Sequence, residues 1–197
     1  MDERLSLEDK RFLLKLAREA ITRAVYNQPS PPVDLDQLSE PLREEGASFV
    51  TLTIQGQLRG CIGTVEAYLP LAVDVAENAV RAAFHDPRFY PLTPEELDQV
   101  EIEISVLTPP QPLAFSSPEE LVRKLRPGVD GVILQKGFTR ATFLPQVWEK
   151  LPDPPTFLAH LCTKAGLPPD AWQKPGIQVY TYQVEEFSEK EIAVAQA

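Results

Sequence analysis

Two short hairpins constrain the fold of this chain more than any other feature of its sequence. Residues 47–54 are rich in β-branched and aromatic side chains, which predicts a strand. Gln55 and Gly56 make the turn, and residues 57–65 return as the second strand. Hairpins pair their strands in antiparallel fashion and need no long crossover, so the sequence predicts an antiparallel sheet here.

A second hairpin is predicted from residues 129–135 and 138–144, around a turn at Lys136 and Gly137. Helical and strand patterns surround the hairpins, in the order helix, hairpin, helix, strand, helix, hairpin, helix, strand. The predicted helices are residues 7–26, 70–85, 118–126 and 157–165, and the predicted single strands are residues 100–106 and 177–187. This order predicts an α+β fold, a largely antiparallel sheet with flanking helices, rather than a doubly wound parallel sheet.

Composition limits the partners and the compartment. The formal net charge of −10 argues against sequence-independent binding of nucleic acid, which needs a basic surface. The two cysteines, Cys61 and Cys162, cannot form a disulfide scaffold, and their spacing matches no zinc finger. The N-terminal residues do not resemble a signal peptide, and no apolar run approaches membrane length. We therefore expect a cytoplasmic protein with reduced thiols that does not associate with membranes.

Residues 58–63, with the sequence Leu-Arg-Gly-Cys-Ile-Gly, have the composition of a functional site. Because side chains alternate along a strand, Arg59, Cys61 and Gly63 are expected on one face. A cation beside a thiol favours the nucleophilic thiolate. Gly60 and Gly63 would let a ligand approach the backbone closely. The alternative is a buried cysteine whose neighbouring glycines serve a bulge or tight packing.

The two hairpins carry similar residues at similar positions. An arginine stands three positions after the turn glycine in each, Arg59 in the first hairpin and Arg140 in the second. Cys61 and Thr142 follow two positions later. The pattern predicts two equivalent hairpins. Coincidence is the alternative, because turn residues recur at fixed offsets in any hairpin.

Longer strings of residues resemble the AMMECR domain family, called protein A of the AmmeMemoRadiSam system in prokaryotes. The string at 58–63 is the most specific, and Ala-Ala-Phe-His-Asp-Pro-Arg-Phe at 82–89 is the next. The remaining matches lie at residues 104–107, 127–131, 142–149 and 157–167. The resemblance therefore covers nearly the whole chain.

This resemblance implies an α+β fold with two β-rich structural repeats. Residues 1–197 would form one AMMECR domain of two closely packed sub-domains, with the proline-rich segment 108–118 as the best boundary between them. The resemblance also implies operons that encode a Memo-like protein and a radical-SAM protein, which become the expected partners. It implies no demonstrated reaction, and it leaves the cofactor unknown. Matching of motifs adds four residues to the expected pocket, namely Arg88, Thr142, Gln146 and Glu149.

Three functions remain open from the sequence, and the first is a thiol-dependent enzyme. Cys61 would be the nucleophile, and Arg59 would stabilise its thiolate or an anionic substrate. A thiol nucleophile needs a base, for which the chain offers His85 and His160. Glu103, on the predicted strand 100–106, is a further member of the expected site and could orient an arginine.

The second function is a metal site, and the third is a binding protein without catalysis. A site of soft ligands must draw on the four Cys and His residues, of which His160 and Cys162 point apart on a helix. A four-ligand zinc site is therefore not expected, whereas a smaller site that includes Cys61 stays open. A ligand-binding, adaptor or regulatory protein would tolerate Ser or Ala in place of Cys61, whereas an enzyme would need the thiolate.

Overall fold

A computed structural model describes residues 4–194 of the chain. The helices within this range are α1 (Leu7–Val25), α2 (Glu40–Arg43), α3 (Leu71–Phe84), α4 (Pro118–Lys124), α5 (Pro154–Lys164) and α6 (Glu189–Val194). The strands are β1 (Glu45–Ile54), β2 (Gln57–Gly63), β3 (Leu69–Pro70), β4 (Val100–Leu107), β5 (Gln111–Pro112), β6 (Gly131–Lys136), β7 (Thr139–Phe143), β8 (Gln178–Tyr182) and β9 (Val184–Ser188). Helices and antiparallel strands together confirm the predicted α+β fold.

The described chain divides into two compact units. The first unit contains the chain up to Leu107 together with the segment from Glu185 onward, and the second unit runs from Thr108 to Val184. The first unit is therefore discontinuous in sequence, because its last strand and helix are supplied by the C-terminal segment. No helix among residues 4–194 has both the length and the apolar character needed to cross a bilayer.

The first unit is a sheet covered by helices on one face. Its strands lie in the order β2–β1–β4–β9, and β3 pairs with the start of β1. Helix α3 packs on β1 and β2, and α1 packs on α3. Val50 and Leu52 of β1 and Ile102 and Ile104 of β4 are all fully buried in the core that these helices cover. The alternate residues of these strands form the opposite face, on which Cys61 lies.

Local sequence explains where the two long helices of the first unit begin. Ser6 and Asp9 form a capping box at the start of α1, in which each side chain bonds the backbone N–H of the other residue. Helix α3 follows Pro70, whose fixed φ suits a helix start. Its alanine-rich stripe is buried, and it lets the helix approach the sheet closely.

The second unit has its own sheet and its own core. Its strands lie in the order β5–β8–β6–β7, and all three pairings are antiparallel. Trp148 stacks on Phe157 of α5, with the ring centroids 3.7 Å apart, and its indole N–H donates to the carbonyl oxygen of Asp130 at 2.7 Å. Both predicted hairpins are confirmed, because β1 pairs with β2 and β6 pairs with β7 across the predicted turns.

The prediction of one final strand over residues 177–187 is wrong. The segment forms two strands, β8 and β9, which belong to different sheets. The break falls at Gln183, whose N–H donates to the hydroxyl of Thr108 at 2.8 Å and whose carbonyl oxygen accepts the N–H of Thr108 at 2.8 Å. These two bonds replace sheet bonds at the point where the chain leaves one unit and enters the other.

Candidate functional site

Cys61 lies on β2, a strand at the edge of the first unit's sheet. It pairs with Thr51 of β1, and its Sγ lies 3.3 Å from the Thr51 Oγ1, so that either atom could donate a hydrogen bond to the other. The Cys61 side chain is partly exposed, whereas Cys162 is fully buried in the second unit. Cys61 is therefore the cysteine that a reagent or substrate can reach in the folded protein.

An ion pair caps the outer edge of β2 at Cys61. The Asp86 carboxylate accepts the backbone N–H of Cys61 at 2.9 Å, and the Arg88 Nη2 donates to the Cys61 carbonyl oxygen at 3.4 Å. The same guanidinium binds Asp86 through Nε at 3.0 Å and Nη2 at 2.7 Å. The Asp-Pro-Arg-Phe string thus satisfies both backbone groups of Cys61 that an edge strand would leave unpaired.

The two members of this ion pair differ in exposure. Asp86 is buried at 4% exposure, whereas the Arg88 side chain is 54% exposed. The hydrogen bonds from the Arg88 side chain, helped by the N–H groups of Cys61 and Arg88, hold the pKa of Asp86 well below its usual range. Asp86 raises the pKa of Arg88, mainly through the hydrogen bonds between the two side chains. A fixed cation with an open face therefore lies on the backbone of Cys61.

Arg59 does not take the position that strand alternation predicts. The pairing of β1 with β2 shifts between Leu52 and Thr53, so that Leu52 pairs with Gly60 and Thr53 with Leu58. Arg59 is the extra residue of this bulge, and a bulge breaks the alternation of faces. The regular alternation from which Arg59 was expected on the face of the thiol therefore does not hold at this position, and the role of Arg59 beside Cys61 stays a prediction.

Arg59 is instead committed to an ion pair with Glu96. Its Nε and Nη2 donate to the two carboxylate oxygens of Glu96 at 2.8 and 2.9 Å. The Arg59 side chain is only 14% exposed, and its guanidinium also lies 5.9 Å from the ring centroid of Phe89. The Arg59 hydrogen bonds lower the pKa of Glu96. This pair fastens the hairpin to the turn before β4, and Arg88 supplies the accessible cation.

The two glycines of the site serve close packing. A Cβ on Gly60 would lie 2.1 Å from the backbone oxygen of Ala82 on α3. A Cβ on Gly63 would lie 2.2 Å from the ring of Phe49. The space beside each glycine is therefore filled by the protein itself, as the packing alternative for these residues predicts.

Glu103 lies in the same cross-strand row as Cys61. Thr51 pairs with Cys61 on one side and with Glu103 of β4 on the other, so the three side chains share the face opposite the helices. Neighbouring strands are about 4.8 Å apart, which places the backbones of Cys61 and Glu103 roughly 10 Å apart. Burial raises the pKa of Glu103, and the carboxylates of Glu186, Glu191 and Glu101 raise it further. The row thus holds a thiol, a hydroxyl and a carboxyl group with increased proton affinity.

A buried polar network at the end of the hairpin was not foreseen from the sequence. The Asp74 carboxylate of α3, 4% exposed, accepts hydrogen bonds from the hydroxyls of Ser48 at 2.6 Å and Thr64 at 2.7 Å and from the amide of Asn78 at 3.1 Å. Burial raises the pKa of Asp74, although these bonds oppose the shift. The sequence carried one indication of this network: Asp74 and Asn78 stand four residues apart within the apolar stripe of α3 and therefore share a helix face.

The other predicted pocket residues lie in the second unit. Thr142 uses its hydroxyl internally, donating to the Val132 carbonyl oxygen at 3.0 Å and lying 2.9 Å from the Tyr182 hydroxyl. Exposed positions are taken by Arg140 on β7, by Gln146 and Glu149 in the 3-10 turn Pro145–Glu149, and by His160 on α5.

The two hairpins differ at the residues three and five positions after their turn glycines, where the sequence predicted that they would be equivalent. Arg140 pairs directly with Gln135 in a regular ladder, whereas Arg59 stands at a bulge. Thr142 is tied to Tyr182, whereas Cys61 is partly exposed beside Thr51. The same offsets from the turn glycine therefore produce different environments.

The structure places His85 next to Asp86 in the chain and shows no group of metal ligands in its described part. His85 is exposed at the C-terminal end of α3. Its backbone N–H donates to the Arg81 carbonyl oxygen at 2.8 Å. Across residues 4–194, no three side chains of His, Cys, Asp or Glu are grouped so that they could hold a metal ion.

The chain is an α+β protein of two compact units. Its candidate site is a cysteine on an edge strand, whose backbone is bonded by an aspartate–arginine ion pair. The AMMECR1 family model matches residues 14–187, and the chain belongs to this family. A protein of Methanothermobacter thermautotrophicus is 43% identical over 94% of this chain and 96% of its own length. A protein of Methanocaldococcus jannaschii is 38% identical over 95% of this chain and 93% of its own length.

A solved structure shares the fold. The crystal structure of an uncharacterized protein from Pyrococcus horikoshii is similar to this chain with a TM-score of 0.74. The two sequences are 38% identical, and the match covers 92% of each chain. The resemblance drawn from the sequence motifs is thus confirmed at the level of family and fold.

Proposed function

We propose that this protein is a thiol-dependent enzyme in which Cys61 attacks a substrate that carries a negative charge near its reactive carbon. The observation that carries the proposal is the Asp86–Arg88 ion pair on the backbone of Cys61. It holds the largely exposed guanidinium of Arg88 beside Cys61. Of the two cysteines, both within residues 4–194, Cys61 is the one that is partly exposed. An anionic substrate held by Arg88 would therefore lie next to the sulfur.

The parts around Cys61 match the requirements of a thiol nucleophile. A neighbouring cation stabilises the thiolate, which is the reactive form. The Thr51 hydroxyl, 3.3 Å from Sγ, can donate a hydrogen bond to the charged sulfur. Both backbone groups of Cys61 are held, so the sulfur keeps a fixed position relative to a bound substrate.

Glu103 supplies the proton that such a reaction needs. As the Cys61 sulfur bonds to an electrophilic carbon, the bond from that carbon to its leaving group breaks, and the leaving group takes a proton from Glu103. Water then attacks the same carbon, gives one proton back to the Glu103 carboxylate, and releases the sulfur. The raised pKa of Glu103 increases the fraction of the carboxyl group that is protonated near neutral pH, as general acids require.

The experiment that tests the proposal is the pH dependence of alkylation at Cys61, read by mass spectrometry on the native protein. Cys162 is fully buried and serves as the internal control. We expect Cys61 to react rapidly at neutral pH in the folded state while Cys162 stays unmodified. Labelling of Cys61 that begins only when the protein unfolds, together with Cys162, would contradict the proposal.

A binding protein without catalysis is the second candidate, because the hydrogen-bond partner of the Cys61 sulfur is the Thr51 hydroxyl, which is not a base at neutral pH. The same cation and hydroxyl would then hold an anionic ligand, and the thiol would serve only as a hydrogen-bonding group. Cys61→Ser separates the two functions, since a serine keeps the hydrogen bond to Thr51 but is a far weaker nucleophile. Retained ligand binding with retained biological function in this variant would favour the binding protein.

The expected partners enter the proposal as sources or consumers of the substrate. The family resemblance implies a Memo-like protein and a radical-SAM protein. We propose that one of them makes or uses the small molecule on which Cys61 acts. Mixing the purified proteins with wild-type chain and with Cys61→Ala tests this, because only the wild-type chain should change the products released by the partner.

A further inference from the structure

A cavity of about 200 Å³ lies in the first unit between α1 and α6, on residues that the thiol site does not use. From α1 it is lined by side chains at positions i, i+3, i+4 and i+7, which share one helix face. These are Arg11, Leu14, Lys15 and Arg18. From α6 the lining residues are Glu189, Ile192 and Ala193.

Arg18 and Glu189, which both line the cavity, form an ion pair with each other. The Arg18 Nε and Nη2 donate to the two Glu189 carboxylate oxygens at 2.9 and 2.5 Å. The same guanidinium donates to the carbonyl oxygens of Leu97 and Val100, and Glu189 accepts the N–H of Ile102 at 3.0 Å. The charges of this pair cancel, and its hydrogen-bonding groups are occupied by the protein.

Arg11 and Lys15 leave an excess of positive charge on the cavity wall. The Nε of Arg11 is enclosed by protein atoms and has no hydrogen-bond partner. Among residues 4–194, neither Arg11 nor Lys15 has a carboxylate in ion-pair distance. Because the surrounding protein closes the Nε to a ligand, the exposed part of the Arg11 guanidinium and the Lys15 ammonium are the groups that can bind an anion in the cavity.

The remaining wall is apolar. Leu14 is almost fully buried at the bottom of the cavity, and Ile192 and Ala193 form the side contributed by α6. A methylene group occupies about the volume of a water molecule, roughly 30 Å³, so the cavity has room for about six or seven carbon atoms of a chain. The shape and the charge therefore fit one short apolar tail with one anionic head.

We propose that this cavity binds a small amphipathic carboxylate, of the size of a medium-chain fatty acid, with its head group on Arg11 and Lys15. Its alkyl chain lies against Leu14 and Ile192. The site is separate from Cys61 and does not depend on the proposed thiol chemistry.

Titration of the ¹⁵N-labelled full chain with octanoate tests the proposal by amide chemical-shift changes. We expect saturable shifts confined to α1 around residues 11–18, to α6 and to the strands beneath them. The uncharged 1-octanol and the short-chain butyrate should each bind at least about tenfold more weakly, because each lacks one half of the recognition. Shifts that do not saturate, or that map to other surfaces, would overturn the proposal.

Variants identify the head-group site. Arg11→Gln and Lys15→Gln should each weaken octanoate binding by about tenfold, since each removes a charged hydrogen-bond donor. Lys190→Gln is the matched control, because Lys190 is an exposed lysine of α6 outside the cavity lining, and it should leave the affinity unchanged. Unchanged binding in both cavity variants, in protein that still gives the wild-type spectrum elsewhere, would contradict the assignment.

Discussion

The carboxylate of Asp86 accepts the backbone N–H of Cys61 at 2.9 Å while it binds the guanidinium of Arg88. One side chain thus fixes both the backbone of the candidate nucleophile and the cation beside it. The Asp-Pro-Arg-Phe string at 86–89 and the Leu-Arg-Gly-Cys-Ile-Gly string at 58–63 are two halves of one structure, although more than twenty residues separate them.

Asp86→Asn should lower the free energy of unfolding at neutral pH by about 1–3 kcal/mol, because it removes charged hydrogen bonds to a buried group. The open face of Arg88 screens the ion pair, so the larger losses of fully buried pairs are not expected. The pKa of Asp86 is lowered in the folded state. The ionised Asp86 carboxylate therefore contributes its full stabilisation above the pKa of the unfolded state, about 3.9. This stabilisation is lost as the pH falls through the pKa of the folded state.

Urea unfolding of the wild type and Asp86→Asn at pH 7 and at about pH 3 measures this difference. The difference in the free energy of unfolding between the wild type and Asp86→Asn should be large at pH 7 and smaller at the acidic pH. A gap that stays constant, or widens on acidification, would show that the Asp86 charge does not stabilise the fold.

Asp74 should show the opposite dependence on pH. Its folded-state pKa is raised by burial, so the folded protein favours the protonated form, and stability is lost as pH rises from the unfolded pKa through the folded pKa. Asp74→Asn removes the buried charge and keeps an oxygen that can accept from Ser48. We expect this variant to be as stable as the wild type, or up to about 1 kcal/mol more stable, at pH 7.

Asp74→Ala is the companion variant, and it should be less stable by about 1–3 kcal/mol because Ser48, Thr64 and Asn78 lose a buried acceptor. Thermal and urea unfolding across pH 4–8 compare the three proteins. Equal losses in the Asn and Ala variants at pH 7 would mean that the negative charge itself stabilises the network.

Arg59→Gln tests how much the ion pair with Glu96 contributes to the free energy of unfolding. The pair is bidentate and partly buried, so its loss should cost about 1–2 kcal/mol in the free energy of unfolding. A double-mutant cycle with Glu96→Gln should give a coupling energy of about 1 kcal/mol that decreases in high salt. A coupling energy near zero would remove the structural role assigned to Arg59.

Gly60→Ala should destabilise the first unit strongly, by about 3 kcal/mol or more. The added methyl group would meet the backbone oxygen of Ala82, which cannot move without shifting α3. Gly46→Ala is the milder comparison, because its Cβ would lie 2.9 Å from the Cβ and Cδ1 of Leu71, a less severe overlap than the 2.1 Å at Gly60. Urea unfolding should give a clearly smaller loss for Gly46→Ala; equal losses would contradict the close approach of α3 to β2.

The elements with strong local signals could be predicted from the sequence. Both hairpins follow from β-branched runs around a turn glycine, and the buried stripe of α3 follows from its helical spacing. The division of residues 177–187 between two sheets could not, because it depends on Thr108, which is distant in sequence.

The sequence singled out Cys61, but it did not predict the bulge at Arg59. Cys61 stood out through its glycine-rich surroundings, but strict alternation put Arg59 beside it. A bulge depends on the partner strand and leaves no reliable mark in a single sequence. Arg88 entered only through the family resemblance, since its position beside Cys61 results from the bonds of Asp86 to the edge of β2.

The central claim is that Arg88, and not Arg59, serves the Cys61 thiol. The direct measurement compares the rates at which iodoacetate and the neutral iodoacetamide alkylate Cys61 in the wild type, Arg88→Gln and Arg59→Gln. We expect the wild type and Arg59→Gln to share a ratio of rates that favours the anionic reagent, and Arg88→Gln to lose this preference. The same ratio in all three proteins, or its loss only in Arg59→Gln, would show that Arg88 does not serve the thiol.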